Sequence, residues 1–252
     1  MSSPAPFYID WQFWASVAAF AALVLSQLPP VRLWLKPRRV EVEIHSRLQV
    51  THKVGNPNVG MYVSIRNTGG RELRIKSMIV GVTRDGISLG QLSAQNYFES
   101  ASSQTPSLFV PFSLKVSETW AHGTNFLRPF DRPREKLFRE SLSALQIDIR
   151  KKIDARPNED KQPVKADQVL VQPFLAMFKD MFNWLPGEYI VELLVNAEPG
   201  SASFSKKYRF TLYESESAEL ESHVEDYWYG GGLAYNIERH AGVFVPLTEH
   251  VG

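Results

Sequence analysis

A mainly β body behind one N-terminal transmembrane helix is the fold class this sequence predicts. Three observations lead there. Trp11 to Val31 holds 21 consecutive residues without a formal charge. From Val40 onward, apolar residues recur at every second position, the period of a half-buried strand. Two short stretches, after Asp131 and after Pro173, switch to helical spacing.

The apolar run reads as an anchor. A helix rises about 1.5 Å per residue, so a bilayer core of roughly 30 Å takes about 20 residues. Its middle is Ala-rich and helix-forming, with Phe20, Leu23 and Leu25 as its large apolar groups. Trp11 and Trp14 stand at one end and Trp34 beyond the other, where amphipathic rings favour an interface. Pro29-Pro30 removes backbone donors and ends the helix. A cleaved signal peptide would carry a basic residue before the run, and none is there. Arg32, Lys36, Arg38 and Arg39 crowd the C-terminal flank, while Asp10 is the only charged side chain before the run. Positive flanks stay in the cytoplasm. The expectation is therefore an inner-membrane, single-pass chain with its N-terminus outside and its body cytoplasmic, the lipid bilayer its first partner. A periplasmic body is the topological alternative.

The segments are then a short tail over 1–10, the transmembrane helix and interfacial segment over 11–35, a β domain over 40–213 and an acidic, aromatic C-terminal tail over 214–252. A net charge of +1 gives no extended surface for nucleic acid. The chain has no cysteine, which excludes disulfides, thiolate metal sites and a cysteine nucleophile.

Within the β domain the elements follow in order. Val40, Val42 and Ile44 alternate with Glu41, Glu43 and His45, and Leu48 and Val50 continue after an irregularity at Ser46-Arg47. Asn56-Pro57-Asn58 reads as a turn into a strand over 59–66, where Met61, Val63 and Ile65 face one way. Asn67-Thr68-Gly69-Gly70 is a second turn, leading to a strand from Leu73 to Val82. Asp85-Gly86 closes a tight hairpin. The Ser/Gln/Asn-rich stretch 93–105 reads as a loop, and Pro111 marks an edge strand near Phe112. Asp131 caps a helix with Pro133 in its first turn. Leu145 to Ile153 fits either more of that helix or a new strand, and the strand is favoured. Residues 154–168 form an exposed loop. Phe174, Met177, Phe178 and Met181 share one face of a second helix over 172–184. Strands over Tyr189–Val195 and Phe204–Leu212 close the domain.

The strand, Asn-Thr-Gly-Gly turn and strand over Val63–Val82 resemble bacterial immunoglobulin-like β-sandwich modules. So does the closing pair Pro186–Val195 and Tyr208–Tyr213. The resemblance implies an immunoglobulin-like β-sandwich and no function.

The search for chemistry finds little. None of the six histidines shows a close metal spacing, and Gly230-Gly231-Gly232 lacks the Lys-Ser/Thr of a phosphate loop. No GxSxG elbow occurs. No cofactor, metal or catalytic residue is assigned. Two aromatic groups are candidate partner contacts: Phe178, Phe182 and Trp184 around the second helix, and Tyr227, Trp228 and Tyr229 in the tail. Each has a plainer reading, as core and as a tail packed back on the domain. The expected function is a membrane-anchored, non-enzymatic protein-interaction subunit: an adaptor, sensor or assembly component with a protein partner or a second copy. An oligomerising membrane effector in stress or phage defence, and an enzyme with a dispersed site, are the alternatives.

Overall fold

The computed structural model describes residues 11–27, 36–100, 102–103, 105–157 and 162–250. Most of the body is one antiparallel sheet of 12 strands, nearly barrel-shaped. It begins with β1 (Val40–Ile44), β2 (Arg47–Lys53), β3 (Asn56–Asn67), β4 (Leu73–Arg84) and β5 (Ile87–Phe98). The short β6 (Ser107–Leu108) and β7 (Phe112–Leu114) precede β8 (Thr119–Leu127). Two helices, α2 (Arg132–Asp154) and α3 (Gln168–Met181), interrupt the sheet before β9 (Gly187–Glu198) and β10 (Phe204–Leu212). The helix α4 (Glu214–Ser222) and a 3-10 stretch, His223–Tyr229, lead to β11 (Val243–Pro246) and β12 (Thr248–Glu249). An earlier helix, α1 (Trp11–Gln27), stands before the sheet.

The sheet order is β11-β2-β3-β8-β5-β4-β9-β10-β12. β11 pairs with β2 at one end, and β12 pairs with β10 at the other. The C-terminal strand thus joins the two ends of the sheet and curls it toward closure. This replaces the expected pair of packed sheets: the alternating runs are there, but they hydrogen-bond into one continuous sheet. Its concave side holds the main core. Val59, Met61, Val63 and Ile65 of β3 meet Ile75, Met78 and Val80 of β4 and Val191, Leu193 and Val195 of β9, all fully or nearly buried. At about 25 cal/mol per Å² of apolar surface, that interior is the dominant favourable term of the body.

Turn chemistry fixes the registers. Asp85 and Gly86 take φ of 47° and 84° between β4 and β5, the left-handed pair of a two-residue hairpin. Val54 and Gly55, at 54° and 81°, turn β2 into β3, so the expected turn at Asn56–Asn58 is instead the start of a strand. A Cβ on Gly55 would meet the Phe178 carbonyl at 2.7 Å, so this turn also sets how closely α3 lies against the sheet. Buried Asn67 holds the next turn: its Nδ2 donates to the carbonyls of Arg71 and Leu114, each 2.9 Å, and its Oδ1 accepts from the Gly69 N–H at 3.0 Å.

Three further expectations change. The stretch 93–105 is strand as far as Phe98, paired with β8. Leu145 to Ile153 is helix: Phe138, Leu145 and Ile149 fall on one buried face of α2, and continuing a formed helix costs less than starting a strand. Among the described residues, no helix is long and apolar enough to cross a membrane. α1 spans 17 residues, about 25 Å at helical rise, against a core of roughly 30 Å. Its side chains are exposed, Trp11 at 78 %, with Trp14, Phe20, Leu23 and Leu25 also open to solvent. Lys36, Arg38 and Arg39 are exposed too, while Arg32 and Trp34 lie outside the described residues. The transmembrane reading is therefore corrected, and the orientation drawn from the basic flank loses the span on which it rested.

Candidate functional site

The two aromatic groups singled out in the sequence do come together, inside the chain. α4 starts where the Tyr213 N–H donates to the Glu216 carboxylate at 2.7 Å, and acidic residues in its first turn suit the positive helix end. The 3-10 stretch then drives Tyr227, 1 % exposed, edge-on against Phe178 of α3, ring centroids 6.2 Å apart. Trp184 is fully buried; its indole N–H donates to the Thr51 carbonyl at 2.8 Å, and its own carbonyl accepts from Ser217 at 2.7 Å. Phe178 is buried, Phe182 and Trp228 are half-buried, and only Tyr229 is exposed, at 38 %. The Lys165 ammonium lies 5.9 Å from the Trp228 ring and 5.7 Å from that of Tyr229. Helix α3, strand β2 and the tail are thus one another's partners.

A column of histidines lies in the same seam. His52 of β2 stands 5.2 Å from His223, and His223 stacks on His240 at 4.3 Å with planes 12° apart. His52 Nε2 donates to the Leu220 carbonyl at 2.8 Å, while its Nδ1 accepts from the Gly55 N–H at 3.1 Å, which fixes one neutral tautomer. Burial pushes His52 and His223 down to about 4, so both rings are uncharged at neutral pH. His240 Nε2 meets Asp226 Oδ2 at 2.7 Å, and Arg239 also pairs with that carboxylate. Burial alone would raise the Asp226 carboxyl, but the His240 and Arg239 hydrogen bonds hold it below the usual range. His223 Nε2 and the Tyr227 hydroxyl are buried without a hydrogen-bond partner. Among the described residues no group of three or more His, Asp or Glu is arranged to hold a metal ion.

A third aromatic group faces outward. Tyr62 of β3 and Phe98 of β5 both lie directly across from Gly123 of β8, on the convex side of the sheet. A Cβ built on Gly123 would meet nothing within 4 Å. The result is a notch with two aromatic walls and a bare backbone floor. Cavities of about 400 and 470 Å³ share Tyr62, Phe98 and Gly123. Tyr62 is 50 % exposed. Around the notch stand hydrogen-bonding groups: Arg47 and Asn125 on one side, Glu99, Ser100 and Ser103 on the other. Its volume and mixed lining suit a small group or an extended side chain.

The sequence held a signal for this notch that helical and tail aromatics masked. Tyr62 occupies the polar phase of a strand whose apolar phase is Met61, Val63 and Ile65. Gly123 sits inside a strand, where a missing side chain marks a close approach or a gap.

No protein-family model and no curated protein matches this chain. Among solved structures, the ApaA protein of Bordetella pertussis is similar at 11 % identity and a TM-score of 0.29, covering 71 % of this chain and 95 % of that one. A protein from Archaeoglobus fulgidus is similar at 8 % identity and a TM-score of 0.27, covering 70 % and 98 %. Likeness at these scores carries no argument about what this chain does.

Proposed function

We propose that this chain is a non-enzymatic interaction module that recognises a protein partner on the convex face of its sheet. The observation that carries the reading is the open notch at Gly123, with Tyr62 half exposed beside it. Aromatic side chains with few rotatable bonds are favoured anchors in interfaces, and an open backbone floor admits a partner's side chain between them. The tail aromatics serve the module differently. They pin α4 and the 3-10 stretch to α3, so the recognition face rides on a rigid body.

The test is site-specific photo-cross-linking in the native host. A photoreactive residue at Tyr62 is expected to yield a discrete cross-linked protein, and Gly123→Val, which fills the notch, should abolish it. The same probe at Ile87, exposed at 66 % on a remote hairpin, should yield none of that product. Identical products from both positions would refute the reading.

A further inference from the structure

One end of the sheet and the two long helices flank a space that neither the core nor the notch uses. It is a cavity of about 530 Å³, within the range that holds a small molecule. The start of β3, the rim of β5, the link from β8 into α2 and the end of α3 all reach it. Leu89, Leu92, Phe130 and Met181 give it apolar walls, Leu92 buried and the others half-buried.

The charged groups on the lining are two guanidiniums and two carboxylates, and they do not pair one to one. Arg134 takes both carboxylates: its Nη2 donates to Asp180 Oδ2 at 2.7 Å, and its Nη1 lies 3.9 Å from Asp131 Oδ2. Arg128 has neither. Among the described residues its guanidinium has no ion pair, and its Nη2 donates to the Leu89 carbonyl at 3.3 Å. Its place is nonetheless set by the fold. Asn56 Nδ2 donates to the Arg128 carbonyl at 2.7 Å, and the bare backbone of Gly90 makes room for the guanidinium, into which a Cβ would run. The lining thus sums to zero charge but separates it, with a free cation on the sheet side and surplus negative charge on the helix side. Asn183, on the same lining, keeps its Oδ1 buried and without a hydrogen-bond partner. Amide torsions are soft, so a turn about χ2 offers this oxygen to a donor in the cavity.

We propose that this cavity binds an α-amino acid with an apolar side chain. A ligand neutral in sum and charged at both ends matches a lining that is neutral in sum and charged at both ends. The carboxylate goes to Arg128, whose planar fork takes both oxygens. The ammonium goes to Asp131 and Asp180, which share one cation between them, with Asn183 as a further acceptor. The side chain lies against Leu89, Leu92, Phe130 and Met181. A ligand carrying only one of the two charges leaves the opposite end of the site unmatched. The site goes beyond the interaction-module reading and shares no residue with the notch.

The test is isothermal titration of the full chain with L-phenylalanine, and saturable binding is expected. N-acetyl-L-phenylalanine lacks the ammonium and L-phenylalaninamide lacks the carboxylate, so each should bind about tenfold more weakly or worse. Arg128→Gln should weaken L-phenylalanine about tenfold or more, and Arg128→Lys, which keeps the charge but not the fork, by less. Arg128 is exposed, so both variants should melt like the native chain without ligand. Arg139→Gln, exposed on α2 and outside the lining, should bind like the native chain, and so should Gly123→Val. No saturable binding, equal affinity for either blocked form, or native affinity in Arg128→Gln overturns the site. Each of those results leaves the cross-linking at Tyr62 standing, and a failed cross-link leaves the titration standing.

Discussion

Two sets of aromatic residues in this chain have the same chemistry and opposite fates. Phe178, Trp184 and Tyr227 are packed into the seam between α3, β2 and the tail; Tyr62 and Phe98 stand on the convex face beside an open backbone. Residue type does not separate them. A ring on an apolar face needs a cover, and the sequence does not say whether the cover belongs to the same chain. Strand phase does separate them, because a ring on the polar phase of a strand faces away from the core. The interior set should govern stability and the outer set recognition.

The largest effect should come from the interior set. Trp184→Ala removes a fully buried ring and leaves the Thr51 carbonyl without its donor. A loss of about 3–5 kcal/mol is expected in denaturant unfolding. A loss under 1 kcal/mol would show that the seam adds little to the body.

Acid should come next and act on one region. His52 and His223 titrate near 4 in the folded chain and near 6.5 when unfolded. Between those values the unfolded chain binds more protons, so their contribution is complete above about pH 6.5 and falls as pH drops toward 4. Each ring accounts for at most about 3 kcal/mol of that loss. The charged groups around them are Asp226 and Arg239 beside His240, with Lys53 one residue along β2; the packed face of α3 contributes the Phe178 ring. Hydrogen exchange at pH 5 should therefore rise first over 214–241, while β3 and β9, lined by aliphatic side chains, stay protected. His223→Phe should flatten that pH dependence.

A smaller loss is expected at the turn. Asn67→Ala leaves the Gly69 N–H and the carbonyls of Arg71 and Leu114 without their partner, at a cost of about 2 kcal/mol in thermal unfolding. Smallest is Tyr227→Phe. Its hydroxyl is buried without a partner, so removing it should raise stability in thermal unfolding, by less than about 1 kcal/mol.

Much of the strand pattern was legible. Alternation at Met61, Val63 and Ile65, and again at Tyr189, Val191, Leu193 and Val195, placed those residues on the buried side where they lie. Asp85-Gly86 announced its hairpin through two residues tolerant of positive φ. What was not legible depended on distant contacts. Ser93 to Phe98 is polar in composition and becomes strand because β8 supplies its hydrogen bonds. Leu145 and Ile149 suit either period over so short a run, and packing beneath Phe138 decides. Val243–Val245 is too short an apolar stretch to declare itself a strand, since pairing with β2, far away in sequence, is what makes it a strand that curls the sheet. The apolar N-terminal run shows a different limit: among the described residues its helix covers Trp11–Gln27, 17 residues, which is short of a bilayer's thickness.

The most direct measurement sets Tyr62→Ala against its cross-linked partner and its own melting curve. An exposed ring off the core should cost less than about 1 kcal/mol of stability, while the partner captured from the neighbouring Phe98 position should disappear. A variant that melts like the native chain yet loses the partner is the result expected of a recognition face. A variant that keeps the partner at full yield would contradict the account.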